Sequence, residues 1–353
     1  MVTPLFLYAY KRNYKQHRRV TDVFLFYYVM IKTIKNGITF AGLILAMTLC
    51  FASCGDKSKN ESNIPTEYCE ELVKLAEEGN AEAQTRLGTF LLNGNGVTEN
   101  VEEGIKWYQK AAEQGHAKAL LSLGNCYLMG AGVPQDLQKG AELIRKAAEQ
   151  GGAEEQATMS TLYEHGIGVP QDAKEAFNWC EKSAKQGFAK AQGVLGAMYV
   201  YGTGVAQNYE EGIKWLEKAI KQGDTSAKFQ LGCLYSAGLG VPKDMEKSLI
   251  LLNEAAKDGD REAQYLLGCG FKFGNEVVNM DMGKALSLFK MAAEQGQKDA
   301  QYEVGTAYEH GWGGVSIDYK EAAKWYNAAA EQGHKEAQMA IPRMRQYLNY
   351  FGN

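Results

Sequence analysis

An all-α fold, built as an αα-hairpin solenoid, is predicted by three regularities in this sequence. A glycine is followed six residues later by another at Gly88/Gly94, Gly124/Gly130, Gly196/Gly202, Gly232/Gly238, Gly268/Gly274 and Gly305/Gly311, with Ser160/Gly166 completing the set. Successive pairs are 36 residues apart, and 37 at the last step. The glycine of Gln-Gly or Asp-Gly recurs in step at Gly115, Gly151, Gly187, Gly223, Gly259, Gly296 and Gly333, and an Asn or Asp at Asn100, Asp136, Asp172, Asn208, Asp244, Asp281 and Asp318. A fixed period of this length marks units that bury their apolar faces only against their neighbours. Such an array offers an extended surface, so holding a partner is the expected task.

Taken in order, the elements begin with residues 1–29. An apolar patch, Val23–Val29, precedes the positive stretch of Lys32 and Lys35. No signal peptide is built that way, and translation is expected to start at Met30. Residues 30–53 read as a signal peptide. The uncharged run Ile38–Ala52, about 15 apolar residues, suits a signal core better than a membrane-spanning helix. It ends in Phe51-Ala52-Ser53-Cys54-Gly55, which resembles the cleavage box of bacterial lipoproteins, with Phe51 where leucine is usual. That resemblance implies lipidation of Cys54 and a membrane anchor on the extracytoplasmic side of a bacterial envelope, the outer membrane or periplasm. Residues 54–66 are polar enough for a tether. Residues 67–79 look like an isolated second helix that caps the array.

Seven repeats follow, at 80–115, 116–151, 152–187, 188–223, 224–259, 260–296 and 297–333. In the fourth, Ala189 to Tyr199 carries apolar or small residues at helical spacing. Gly196 sits inside this helix, where glycine costs about 1 kcal/mol against alanine, so close approach of a partner helix is expected to be the return. Gly-x-Gly-Val then ends the first helix, because glycine accepts the left-handed backbone a tight turn needs. Repeated in almost every unit with no strand before it, this loop is structural and not a phosphate cradle. The Asn/Asp column caps the second helix, with Glu103, Glu175, Glu211 and Glu321 three residues on as capping-box partners. Seven residues past each cap stand Trp107, Leu143, Trp179, Trp215, Leu251, Leu288 and Trp325, expected to be the buried column. Residues 334–353 begin an eighth unit with Pro342 in the glycine column, expected to kink or stop that helix.

The residue pattern Ala-x-Ala-Gln-x-x-Leu-Gly-x-x-Tyr-x-x-Gly-x-Gly-Val, closing in Lys-Ala-Ala-Glu-Gln-Gly, resembles the Sel-one-like repeat, a relative of tetratricopeptide repeats. The resemblance spans Asn80 to Gly333 and implies a right-handed superhelix that holds a protein or peptide in its concave face. Ser160 in the glycine slot, Glu276 in place of a loop glycine, and one extra loop residue in each of units six and seven are local departures.

Charge and chemistry point the same way. Residues 1–53 hold seven Lys/Arg and one acidic residue, which leaves the rest at a net charge of about −10. An acidic body without a Lys/Arg cluster argues against nucleic acid. Cys69, Cys126, Cys180, Cys233 and Cys269 are odd in number and read as small buried thiols. Cys233 and Cys269 share a column whose expected helix spacing exceeds disulfide reach. His165 and His310 enter loops, and His116 and His334 begin helices and are expected in solvent. No histidine, cysteine or serine motif of a metal or nucleophile site appears in the repeats, so no cofactor, metal or catalytic residue is expected. The alternative is a β-lactamase or penicillin-binding type hydrolase, a label carried by cysteine-rich Sel-one-like repeat proteins. Those pair two cysteines per repeat, and no unit here has two.

Counting 100° per residue places Phe229, Tyr265 and Tyr302 on one wall of the groove. Tyr201 and Phe273 lie on the column five after the repeat glycine, with Lys272 and Glu309 beside the aromatics. Aromatic side chains in such a place anchor bound segments; the alternative is that Phe229, Tyr265 and Tyr302 pack between adjacent first helices.

Overall fold

The computed structural model describes residues 64–351. The expectations for the start at Met30, the signal peptide, Cys54 and most of the tether lie outside the described residues. The described chain divides into two compact units between Gly223 and Asp224.

In the first unit, α1 (Glu70–Glu77) is followed by four hairpins. They are α2 (Ala81–Asn93) with α3 (Val101–Glu113), and α4 (Ala117–Met129) with α5 (Leu137–Glu149). Then come α6 (Ala153–His165) with α7 (Ala173–Lys185), and α8 (Ala189–Tyr201) with α9 (Tyr209–Lys221). The second unit has three hairpins: α10 (Thr225–Ala237) with α11 (Met245–Lys257), α12 (Arg261–Phe273) with α13 (Met282–Glu294), and α14 (Lys298–His310) with α15 (Tyr319–Glu331). It closes with α16 (Lys335–Phe351). No strand occurs among the described residues.

The caps fall where the Asn/Asp column places them. The carboxylate or amide oxygen of Asn100, Asp136, Asp172, Asn208, Asp244, Asp281 and Asp318 accepts a backbone N–H from the first turn of each second helix. This satisfies donors that a helix start leaves unpaired. First helices end on left-handed glycines, with φ between 64° and 71° at Gly94, Gly130, Gly166, Gly202, Gly238 and Gly311. Unit six departs as its sequence does: Gly274 has ψ 163°, and the Asn275 side chain accepts from the N–H groups of Val277 and Val278. Pro342 does not stop α16, which runs through it. It stands exposed on that helix and, lacking an N–H, leaves one backbone hydrogen bond unmade.

The buried column differs from the expected one by one residue. Trp107, Leu143, Trp179, Trp215, Leu251, Leu288 and Trp325 are half-buried. Their successors Tyr108, Ile144, Cys180, Leu216, Leu252, Phe289 and Tyr326 are buried, each at most 4% exposed. The repeat glycine decides which residue turns inward. A Cβ on Gly124 would come within 2.6 Å of Ile144, on Gly196 within 2.8 Å of Leu216, and on Gly268 within 2.7 Å of Phe289. Unit three confirms the fit by compensation. Ser160 replaces the glycine, the facing residue shrinks to Cys180, and Ser160 Oγ donates to the Ala176 carbonyl at 2.7 Å. The tryptophans instead lie under lysines, with Lys110, Lys182 and Lys218 Nζ at 4.0, 4.0 and 3.7 Å from the Trp107, Trp179 and Trp215 rings.

Glutamines stitch the hairpins. Gln114, Gln186, Gln222, Gln295 and Gln332 close the second helices, and each donates at 2.8 Å to a buried glutamine of its own first helix: Gln84, Gln156, Gln192, Gln264 and Gln301. Within each unit, that buried amide donates onward to a carbonyl of the preceding second helix, as from Gln84 to Ala76 and from Gln264 to Ala256, both at 3.0 Å. In the fifth hairpin Lys228 and Asp258 take both places and pair at 2.7 Å.

Candidate functional site

The residues marked as a groove wall divide into an interior set and an outer set. Tyr265 is 7% exposed. Its ring centroid lies 5.7 Å from that of Phe289, so it fills its own hairpin instead of lining an open wall. Burial, together with nearby Cys269 and the carboxylates Asp299 and Glu303, pushes its phenol well above the ordinary range. Tyr302 is half-buried. It stacks on His334, centroids 4.5 Å apart at 16°, and meets Tyr326 at 5.5 Å. Phe229 is half-buried against Cys233, Leu252 and their neighbours. Tyr201, in the first unit, is half-buried at the end of α8.

Glu309 is interior too. Its carboxylate accepts from Tyr326 Oη at 2.6 Å and from Arg343 Nε and Nη2 at 2.7 and 2.8 Å. Burial alone would raise its pKa, but the Arg343 and Tyr326 hydrogen bonds outweigh that and hold it below the usual carboxylate range. The wall position has become a tie between α14, α15 and α16.

What remains outside is a cluster at the end of α12. Phe273 is 48% exposed. Lys272 Nζ lies 5.3 Å from the Phe273 ring centroid and 5.2 Å from that of Trp312, and pairs with Glu303 of α14. Thr306 Oγ1, which donates to the Glu303 main-chain carbonyl at 2.8 Å, lies 3.3 Å from that carboxylate. Lys272 thus lies between two rings and an anion, and the exposed Phe273 stands beside a cation with fixed partners. Trp312 and Glu303 escaped the reading of the sequence. A signal existed for Trp312, because the central residue of Gly-x-Gly is Asn95, Ala131, Ile167, Thr203 or Leu239 in other units.

The other polar side chains are structural in position. His334 is 8% exposed, not solvated as expected. It accepts the Ala337 N–H at Nδ1, 3.2 Å, and approaches Asp299 through Nε2 at 3.3 Å. His116 is half-buried, 3.1 Å from Glu82. Both histidines sit at a first-helix start, where the preceding hairpin supplies an acidic partner. Cys126, Cys180, Cys233 and Cys269 are buried free thiols, and burial, with Glu164 nearby, pushes the Cys180 thiol up to about 12. Among the described residues, no group of three or more His, Cys, Asp or Glu is placed to hold a metal ion. No described helix is long and apolar enough to cross a membrane.

Comparison with known proteins agrees with this architecture. The Sel1 repeat matches seven times, at residues 81–116, 117–152, 157–188, 189–224, 225–260, 261–297 and 298–334. A Sel1 repeat protein from Oxalobacter formigenes is 30% identical, with 93% of this chain and 94% of that one covered and a TM-score of 0.64. The protein c5321, a protective antigen of uropathogenic Escherichia coli with an SLR fold, is 31% identical over 79% of this chain and 67% of its own, with a TM-score of 0.50. No curated protein matches.

Proposed function

The chain belongs to the Sel1 repeat family, and from that premise we propose that it is a lipid-anchored scaffold on the extracytoplasmic side of a bacterial envelope. It holds a protein or peptide against the outer cluster of α12 and α14. The fold supports protein interaction in general. The observation that carries this particular face is the presentation of Phe273, exposed beside a Lys272 that Trp312 and Glu303 hold in place. Phe229 and Tyr302, partly buried on α10 and α14, flank α12, while Tyr265 and Glu309 lie inside. Truncating a well-placed aromatic anchor costs about 2 kcal/mol or more of binding, roughly thirtyfold in affinity.

The test replaces Lys272 and Phe273 together by serine and repeats affinity capture on native membranes. An unchanged helical circular-dichroism spectrum with loss of the captured partners supports the face. Recovery of every partner at wild-type yield rejects it. The anchor is tested separately. Cys54→Ser should abolish lipid labelling and processing, and a processed serine variant still held by membranes would place the anchor elsewhere.

A further inference from the structure

The first hairpin is entered differently from the others. Where a complete hairpin precedes, the second loop glycine lies against the first turn of the preceding second helix. A Cβ on Gly132 would strike Val101 and Ile105, on Gly168 Leu137 and Ala141, and on Gly313 Met282 and Leu286. Gly96 meets only Tyr68 Cβ, at 3.5 Å. The cause is the length of α1, which has 8 residues where the other second helices have 13. Its first turn is missing, and Cys69 precedes it in an extended conformation.

The missing turn leaves a cavity of about 330 Å³ whose apolar wall is Tyr68, Val73, Leu87, Leu91, Val97 and Trp107. That volume falls in the range of small-ligand and side-chain pockets. The walls are held in place. Leu87 and Leu91 are buried, Tyr68 meets Phe90 edge-on at 6.3 Å, and Arg86 donates to the Ile64 and Pro65 carbonyls at 3.0 and 3.3 Å. The charged lining residues are all carboxylates, Glu77, Glu99 and Glu103, and each is exposed.

We propose that this cavity is a second protein-binding site, distinct from the α12 cluster. Its occupant is a partner segment that inserts an aliphatic side chain, of leucine or isoleucine size, against Trp107, Leu87 and Leu91. A Lys or Arg beside that side chain pairs with Glu77, Glu99 or Glu103. Two observations specify this chemistry. The equivalent interface is completed elsewhere by aliphatic residues of a helical turn, such as Val101 and Ile105, so the site continues a packing arrangement already present. Its rim has one sign of charge, which favours a cationic partner and disfavours an acidic one.

The test uses the full chain and a blocked peptide, Arg-Leu-Ala-Lys-Leu-Lys, titrated calorimetrically beside a counterpart with glutamate at each basic position. Thr98→Trp plugs the mouth, Glu77→Lys with Glu99→Lys reverses the rim, and Glu149→Lys on α5 is the control. Glu103 is left intact because it accepts from Asn100 at the start of α3. Saturable binding of the basic peptide is expected, at least tenfold weaker for the acidic peptide and for both pocket variants, and unchanged by Glu149→Lys. Lys272→Ser with Phe273→Ser should also leave it unchanged, which separates this site from the α12 face. The proposal is overturned by absence of saturation up to about 1 mM, a free energy near −4 kcal/mol. It is equally overturned if the rim reversal has no effect. Concentration-dependent self-association abolished by Thr98→Trp, without peptide binding, would show that a second copy fills the cavity instead.

Discussion

At the residue scale, position in the helix outranks size. Trp215 is the larger side chain, yet Leu216 is the one fully buried against Gly196. Neighbouring residues point 100° apart around a helix, so both cannot face the partner, and the gap left by the glycine selects one. Leu216→Ala is therefore expected to cost about 2–5 kcal/mol. Trp215→Ala should cost less for its size, since its ring is only partly buried, at the margin of the core and topped by Lys218. Urea denaturation of the two variants checks the order, and a larger loss at Trp215 would restore the tryptophan column as the core. The repeat in the sequence showed that a large apolar column exists. With apolar residues at both positions, which one is interior was not legible.

At the element scale, hairpins are joined by polar side chains that no apolar period reveals. The fifth hairpin is a natural exchange experiment, with Lys228 and Asp258 where five of the others carry two glutamines. Lys228→Gln or Asp258→Gln alone leaves one charge facing an amide, while the double replacement rebuilds the glutamine pair found at Gln192 and Gln222. A double-mutant cycle in chemical denaturation should give a coupling energy of about 0.5–1 kcal/mol. Simple additivity of the two losses would mean the pairs are incidental.

The first two hairpins carry a proton-linked tie of the same kind. The His116 hydrogen bond, with help from Arg86 and against the opposing effect of burial, lowers the Glu82 carboxyl from 4.5 to about 2. A depressed folded-state value stabilises the fold above the unfolded pKa and loses that contribution as pH falls toward the folded one. Stability should therefore decline between pH 4.5 and about 2 partly through Glu82, and Glu82→Gln should flatten that decline. Parallel acid titrations of parent and variant would contradict the assignment.

At the scale of the whole molecule, stability in a repeat array is a sum of local units and interfaces. Removing residues 334–353 strips His334 from Tyr302 and Arg343 from the Glu309 carboxylate. A buried charge without its partner is costly, so amides of α14 and α15 should exchange at least roughly tenfold faster, the signature of about 1.4 kcal/mol of lost local stability. Unaltered exchange there would mean α16 is only an appendage.

The sequence by itself determined the fold class, the seven repeats, their caps and their stops. Glycine, proline, Asn and Asp act through their own backbone and their nearest neighbours, so a period of 36 exposes them. It also pointed to the aromatic region of units five to seven, but it could not sort that region. Tyr265, Tyr302 and Phe273 are aromatic groove candidates on two columns of the repeat, and only tertiary structure separates them. Phe289 and Cys269 enclose the first, His334 covers one face of the second, and the third stays in the open beside Lys272. Exposure depends on which side chains arrive from the next helix, and those lie some 20 to 40 positions away. The entrance cavity beside Trp107 follows the same rule, since it exists because α1 lacks a turn that other second helices possess.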